Sequence, residues 1–348
     1  MAATAIGLDI GTTGVRAAEL SFRRGGEATL EKFGQVALPE GAVRDGEVLD
    51  APVVSSAIRQ LWAATKFTHK RVILGIANQR VVVRQIELPY MPPDDLKKAL
   101  PFQVQDYLPM PVEQAVLDFH PVETFTHNGG KHMRGMLVAA VRDTVMLNVR
   151  AAQAAGLRVN MVDLTSFAVL RSVGSRRDAD VETEALVDIG ARVTNVVVHT
   201  HGVPRFVRIL LMGGQDITDS VVEKLGVPMN EAEGLKQQLG LVGAGPEMAN
   251  AARVVESTAE NFLDEVRGSL DYYAGSNPEA PIGRIVISGG GSKLRGLAER
   301  LSSATRFEVV SGDPMSTMRI GNTGLSDVQL TTVQPLAAVP VGLALGAA

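Results

Sequence analysis

The tripeptide Asp9-Ile10-Gly11 closes an apolar run at residues 6–10, and Asp188-Ile189-Gly190 closes another at residues 185–189. An apolar strand that stops at Asp and turns through Gly lets the backbone approach a ligand closely, because Gly has no Cβ to obstruct it. Backbone N–H groups then face an oxyanion such as phosphate. Each copy is followed by a second strand, at residues 15–20 and 193–199, so both are hairpin turns rather than the strand-to-helix turn of a Walker P-loop. Taken alone, either tripeptide is ordinary hairpin chemistry. Two copies constrain the chain to a duplicated α/β domain with a phosphate held between its halves.

Hydroxyls at Thr12 or Thr13 can add side-chain donors to such a site. A carboxylate cannot touch phosphate directly, so Asp9 and Asp188 need a divalent cation or water in between, and Mg2+ is the ion expected there. A third element supports the pair. Ile285-Val286-Ile287-Ser288 runs into Gly289-Gly290-Gly291, and a helical stretch follows at 294–302. Three consecutive glycines between a buried strand and a helix let a flat ligand lie against the backbone, whereas a tight turn alone needs only one.

A length of 348 residues suits two domains or one bilobed unit. The net charge of −4 gives no electrostatic case for nucleic acid. There are no cysteines, which excludes disulfides, thiol nucleophiles and cysteine metal sites. The start of the chain lacks the features of a signal peptide, and the apolar stretch 336–348 reads as too short and too rich in Gly, Ala and Pro to cross a bilayer. A cytoplasmic location is expected.

Periodicity orders the chain. Strands at 6–10, 15–20 and 28–38, with a polar turn at 23–27, precede a helix at 51–66 that Asp50 caps, and a strand at 72–77. Residues 79–155 read as a compact βαββα insert: a strand at 81–88, a helix to about Tyr107 closed by Leu108-Pro109-Met110-Pro111, strands at 115–124 and 135–141 around a polar hairpin, and a helix ended by Gly156. A strand at 157–162, Asp163 and a helix to about Val173 return to the first lobe, and residues 174–183 form a linker. The second lobe holds strands at 193–199 and 205–211, a helix from near Asp216, a helix at 231–239 with Glu233 and Lys236 on one face, and a long helix at 247–275. Residues 311–331 read as a loop, and 337–347 as a closely packed small-residue helix. The expected domains are therefore a first lobe of 1–78 and 156–180 completed by the helix at about 335–348, an insert of 79–155, and a second lobe of 181–334.

The order Asp9-x-Gly11-Thr12-Thr13, Asp163, Asp188-x-Gly190-x-x-x-Thr194 and Gly289-Gly290-Gly291 resembles the phosphate 1, connect 1, phosphate 2 and adenosine elements of actin-like ATPases. Within that superfamily, Leu100-Pro101-Phe102-Gln103 through Tyr107-Leu108-Pro109-Met110-Pro111, with Asp118 downstream, resembles the insert of the PilM family of type IV pilus assembly proteins. Gly213-Gly214-x-x-Ile217-Thr218 and Glu231-Ala232-Glu233-x-x-Lys236 resemble that family too, and the division protein FtsA. The resemblance covers nearly the whole chain. It implies a bilobed actin-like fold of duplicated RNase H-like domains that binds ATP and Mg2+.

Residue by residue, it places Gly11, Thr12 and Thr13 on the β and γ phosphates, Gly190 on their other side, Thr194 in the phosphate 2 element, and Asp9 and Asp188 on Mg2+ through water. Gly289, Gly290 and Gly291 would line the nucleoside, and Glu233 and Lys236 would reach ribose or adenine. The partner it implies is the short cytoplasmic N-terminal tail of PilN at the inner face of the cytoplasmic membrane, in a groove with Phe102, Tyr107 and Leu108; self-association and other pilus assembly proteins are further partners of such a scaffold. Closing the lobes around ATP would change any surface spanning them.

Two assignments keep alternatives. Asp163 stands where a catalytic base would, and it equally fits the cap of the following helix. Residues 107–111 read as partner groove or as helix termination and core. An FtsA-like division protein would carry a C-terminal amphipathic helix, whereas this sequence ends at Gly346-Ala347-Ala348. A small-molecule kinase of the superfamily needs an evident general base and a polar sugar site, and the sequence displays neither.

Overall fold

The structure, a computed structural model, describes residues 3–23, 27–78, 80–174, 181–243 and 245–347. The tip of the expected turn at 23–27, most of the expected linker at 174–183 and the expected boundaries at Gln79 and Ala348 lie outside the described residues. Strands β1 (Ala3–Ile10), β2 (Gly14–Phe22) and β3 (Ala28–Ala37) form an antiparallel meander. A short hairpin, β4 (Val43–Arg44) and β5 (Glu47–Val48), leads to helix α1 (Ala51–Thr65). The Asp50 carboxylate accepts from the Val53 N–H at 3.0 Å and Pro52 lies in the first turn, so this helix starts as its sequence indicates. Strand β6 (Arg71–Ile76) then pairs parallel with β1.

The next segment builds a separate three-stranded sheet in the order β7-β9-β8 from β7 (Val81–Pro89), α2 (Pro93–Gln103), β8 (Ala115–His127) and β9 (Gly130–Val141). Helix α2 stops short of Tyr107 because Val104 leaves helical geometry and buries itself in the core of this sheet. The hairpin is tighter than expected. Asn128 and Gly129, at φ 48° and 77°, turn the chain between the paired His127 and Gly130, the two-residue turn that Asn-Gly favours.

Helix α3 (Arg142–Ala154) departs from the expected βαββα insert. Its Val145, Val149, Ala151 and Ala152 join the core beneath β1 and β6 and pack on α1, where the Ser55 hydroxyl donates to the Ala151 carbonyl at 3.0 Å. The insert keeps its own small core of Ile86, Leu88, Leu100, Val104, Phe119, Met133 and Leu137. Strand β10 (Arg158–Leu164) and helix α4 (Thr165–Val173) follow on the first sheet side.

The second half repeats the plan with β11 (Thr183–Ile189), β12 (Thr194–Thr200), β13 (Val203–Leu210), α5 (Gly214–Leu225), α6 (Met229–Leu239), α7 (Ala249–Ser276), β14 (Arg284–Ser288), α8 (Leu297–Thr305) and β15 (Glu308–Ser311). The strand orders are β3-β2-β1-β6-β10 and β13-β12-β11-β14-β15, each with two antiparallel pairs followed by two parallel ones. What recurs is thus a whole sheet.

The expected loop at 311–331 and the expected end of the second lobe at 334 do not describe the return of the chain. Strand β16 (Arg319–Ile320) pairs with β3 of the first sheet, and helix α9 (Asp327–Val333) opens on a reciprocal cap between Ser326 and Gln329. Helix α10 (Ala338–Leu345) then packs on α4, β1, β2 and β6. The run Asp327–Leu345, 19 residues with mean hydropathy 1.4, is long and apolar enough to cross a membrane, contrary to the reading of 336–348 by itself. Burial accounts for its composition: Ala338, Val341, Leu343 and Ala344 are fully enclosed in the first core.

Candidate functional site

A cleft of about 1030 Å³ opens between the two sheets, lined by both Asp-Ile-Gly turns and by the three glycines. The turns are built alike. The Gly11 N–H donates to the Gly14 carbonyl at 3.0 Å, and the Gly190 N–H donates to the Val193 carbonyl at 3.0 Å. Across each hairpin the aspartate meets the residue at the same register: Asp9 faces Arg16 and Asp188 faces Asn195. Gly289 holds φ 81°, a left-handed conformation in which a Cβ would lie 2.4 Å from the Ile189 carbonyl oxygen. A side chain there would push the third loop off the second hairpin.

The electrostatics of the cleft are those of two buried acids with a shortage of cation. Burial pushes the Asp188 carboxyl up to about 6, with the nearby Asp9 adding to the shift, while the Ser288 hydroxyl at 2.8 Å, Arg16 and the Asn195 side chain oppose it. Burial also raises Asp9, against the pull of Arg16 at 3.5 Å. Glu233 behaves differently. Burial alone would raise it, but hydrogen bonds from Lys236, Thr218 and Gln237 outweigh that and hold it below the usual carboxylate range. Lys236 is 2.7 Å from Glu233 and also donates to the Gly214 carbonyl at 2.9 Å, which ties α6 to the start of α5.

A recess of about 360 Å³ adjoins the cleft, with Ile217, Phe262, Leu294 and Leu297 as apolar walls and Glu233, Lys236, Gly290 and Gly291 shared with the main cavity. A flat apolar ring with a polar edge suits that shape. Among the described residues no group of three or more His, Asp or Glu could enclose a metal. Two adjacent carboxylates fit Mg2+ nonetheless, because that ion keeps waters and takes phosphate oxygens as further ligands.

The structure brings together Asp9, Gly11, Thr12, Thr13, Asp188, Gly190, Glu233, Lys236, Gly289, Gly290 and Gly291. It does not bring Thr194 or Asp163 into the lining. Thr194 is fully buried and donates to the Met212 carbonyl at 2.7 Å; strand alternation turns Asn195, its neighbour, toward the cleft instead. Asp163 lies outside the lining, where it accepts from the Leu164 N–H at 2.8 Å and pairs with Arg171; the N-cap position of α4 is Leu164. In the insert, Phe102 is 76% exposed and Tyr107 38%, whereas Leu108 packs against the insert core.

Arg16, Asn195, Thr165 and Gln215 also line the cleft, beyond the residues expected from the sequence. A signal existed for the first two: Arg16 follows Asp9 at the same spacing as Asn195 follows Asp188. His201 and Gly202 form the turn between β12 and β13, where the Gly202 N–H donates to His199 Nδ1 at 3.1 Å.

Comparison with known proteins gives the following. A family model described as type IV pilus assembly protein PilM matches residues 7–348. A solved structure described as the PilM-PilN type IV pilus biogenesis complex superposes with a TM-score of 0.86 at 26% identity, covering 98% of this chain and 98% of that one. The cell division protein FtsA of Pseudomonas aeruginosa is 26% identical over 383 residues, 97% of this chain and 88% of that protein. MreB5 of Spiroplasma citri bound to ADP, with a TM-score of 0.51, 13% identity and coverage of 97% and 94%, shares the fold.

Proposed function

Because the chain belongs to the PilM family of type IV pilus assembly proteins and has the bilobed actin-like fold, we propose that it is an ATP-binding scaffold of the inner-membrane pilus assembly platform. On this reading it works at the cytoplasmic face of the membrane. The observation that carries the nucleotide part is the convergence on one cleft of both Asp-Ile-Gly turns and the three-glycine loop.

In this reading Mg-ATP lies between the lobes. N–H groups of the Gly11 and Gly190 turns and the Thr12 and Thr13 hydroxyls receive phosphate oxygens, and Arg16 supplies a cation beside them. Asp9 and Asp188 hold Mg2+ through water, which relieves two desolvated carboxylates at once. The nucleoside lies along Gly289, Gly290 and Gly291 with its base toward the apolar recess, near Glu233 and Lys236. Contacts made from both lobes favour a closed arrangement, so binding shifts the lobe angle. With Asp163 committed to Arg171, the reading emphasises binding over turnover.

The partner is the N-terminal tail of PilN, by the likeness to the PilM-PilN complex, and the exposed Phe102 and Tyr107 are its contacts on the insert. The test is calorimetric titration of a synthetic PilN N-terminal peptide into the purified protein, with and without Mg-ATP. Binding that changes with nucleotide is the expected result. No peptide binding in either condition overturns the scaffold reading, and no heat or thermal shift with Mg-ATP overturns the nucleotide reading.

A further inference from the structure

The loop of the second hairpin carries no hydroxyl. Where the first hairpin has Thr12 and Thr13, the second has Ala191 and Arg192 at the same register. The Gly190 and Ala191 carbonyls accept from the Gly214 and Gln215 N–H groups at the start of α5, at 3.0 and 2.8 Å. A trans peptide sets its C=O and N–H on opposite sides, so the N–H groups of Ala191 and Arg192 point away from that helix end. Neither is donated to another described residue. Two such donors on a glycine-turned loop suit an oxyanion, and the hold of this loop on a ligand is through its backbone.

Gly190, Ala191 and Val193 line the cleft, and Arg192 between them does not. Its guanidinium is forked over α5 instead: Nη1 lies 3.1 Å from Asp216 Oδ1, and Nη2 pairs with Asp219. The two acids are three residues apart and share one face of the helix. Each is itself fixed, since Asp216 accepts from the Gly213 N–H at 2.7 Å and Asp219 accepts from the Gln215 side chain at 3.0 Å. A planar fork held by two carboxylates is fixed in orientation as well as in place. The first loop is braced differently, within its own meander, where the Leu38 N–H donates to the Thr13 carbonyl at 3.0 Å.

We infer that Arg192 is a positioning residue: by clamping the second hairpin loop to α5, it aims the Ala191 and Arg192 N–H groups at the phosphate chain of the nucleotide. The inference rests on the reading of the cleft as a Mg-ATP site. A hydrogen bond weakens steeply as its angle closes, so a loop that can roll on α5 loses its grip on phosphate without leaving the cleft. Arg192 also carries a charge, which attracts an anion whatever the loop does. The two roles predict opposite signs at Asp219. Removing that acid leaves the neighbourhood more positive, which favours an anion, yet it loosens the clamp.

Calorimetric titration of Mg-ATP into the unmutated full chain, Arg192→Gln and Asp219→Asn, with chemical unfolding of each alongside, separates these roles. Asn at position 219 keeps an oxygen for the Gln215 amide. The expected result for Arg192→Gln is about tenfold weaker Mg-ATP, the order of one lost hydrogen bond to a charged group. Asp219→Asn is expected to bind more weakly too, by a smaller factor, and it decides the matter if Arg192→Gln does not fold. Affinity equal to or tighter than that of the unmutated protein in Asp219→Asn overturns the inference, because charge alone then accounts for Arg192. Unchanged affinity in folded Arg192→Gln also overturns it, whatever happens to stability, since a merely structural clamp moves unfolding and not binding. The Mg-ATP reading stands in both cases. An unmutated protein that does not bind Mg-ATP overturns that reading itself, and the inference with it.

Discussion

Asp188 and Asn195 are direct cross-strand partners on β11 and β12, at the register that Asp9 and Arg16 hold on β1 and β2. One hairpin has thus been used twice with a different side chain opposite the acid. In the first, a cation pairs with the aspartate inside its own sheet; in the second, the residue opposite the acid is a neutral amide, and its oxygen accepts from the Thr165 and Ser166 hydroxyls of α4.

The first consequence concerns stability. Asp188 has a folded pKa of about 6 against 3.8 as its reference. Below about pH 4 it is protonated folded and unfolded alike; between about 4 and 6 the unfolded chain gives up the proton first. Stability from this group therefore falls as pH rises through that window and stays lower above it. Asp188→Asn is expected to stabilise the nucleotide-free protein by about 1–3 kcal/mol at pH 8, with the gain shrinking toward pH 4. Denaturant unfolding at the two pH values checks this, and destabilisation at pH 8 would contradict it.

Nucleotide binding should respond to pH in the opposite sense. Mg2+ requires the ionised carboxylate, so the affinity for Mg-ATP is expected to weaken several-fold as pH drops below about 6. Calorimetry at pH 7.5 and at pH 5.5 measures it. Affinity without Mg2+ is expected to change less, and an equal change in both would remove Asp188 as the titrating group.

Both carboxylates and their cation contribute to the same ligand. Asp9→Ala and Asp188→Ala are each expected to weaken Mg-ATP, and Arg16→Gln to cost about 1.5–3 kcal/mol of binding, the range for hydrogen bonds to charged groups. Thermal shift with and without Mg-ATP reads all three. Unchanged affinity in both aspartate variants would place the nucleotide elsewhere.

The insert residues are expected to separate by exposure. Phe102→Ala removes a side chain that is 76% exposed, so stability should stay within about 0.5 kcal/mol while the affinity for a PilN tail peptide falls. Leu108→Ala removes a side chain packed on the insert core, and it should destabilise the protein by about 1–3 kcal/mol. Peptide titration beside chemical unfolding distinguishes the two. Equal peptide affinity for Phe102→Ala and the parent protein would remove Phe102 from the interface.

Gly342→Ala forces a Cβ toward the Ala168 carbonyl oxygen at 1.8 Å, and α4 and α10 must part to admit it. A loss of about 1–3 kcal/mol is expected in chemical unfolding. A neutral outcome would show that the two helices do not move as one.

The sequence by itself determined the local chemistry of this protein. Strand ends, glycine turns and the Asp50 cap follow from nearest-neighbour sterics and hydrogen bonding, which act over a few residues and leave their mark in residue type. That is why Asp9, Asp188 and the three glycines were legible. Further local signals lie in residue type as well: Asn128-Gly129, the Ser326–Gln329 cap and the matched spacing of Arg16 and Asn195.

Tertiary structure alone decided the rest. Which sheet α3 packs against depends on the apolar face of α1, far away in sequence, and the return of β16 to β3 joins Arg319 to Thr29. Whether Asp163 meets a ligand or Arg171 depends on where α4 carries Arg171 and on α10, whose Gly342 carbonyl accepts from the same guanidinium. Burial of Asp188, which makes it a weak acid, and the bonds from the Thr165 and Ser166 hydroxyls to Asn195, its cross-strand neighbour, both arise where distant segments close on each other, and no window of sequence contains both sides of those contacts.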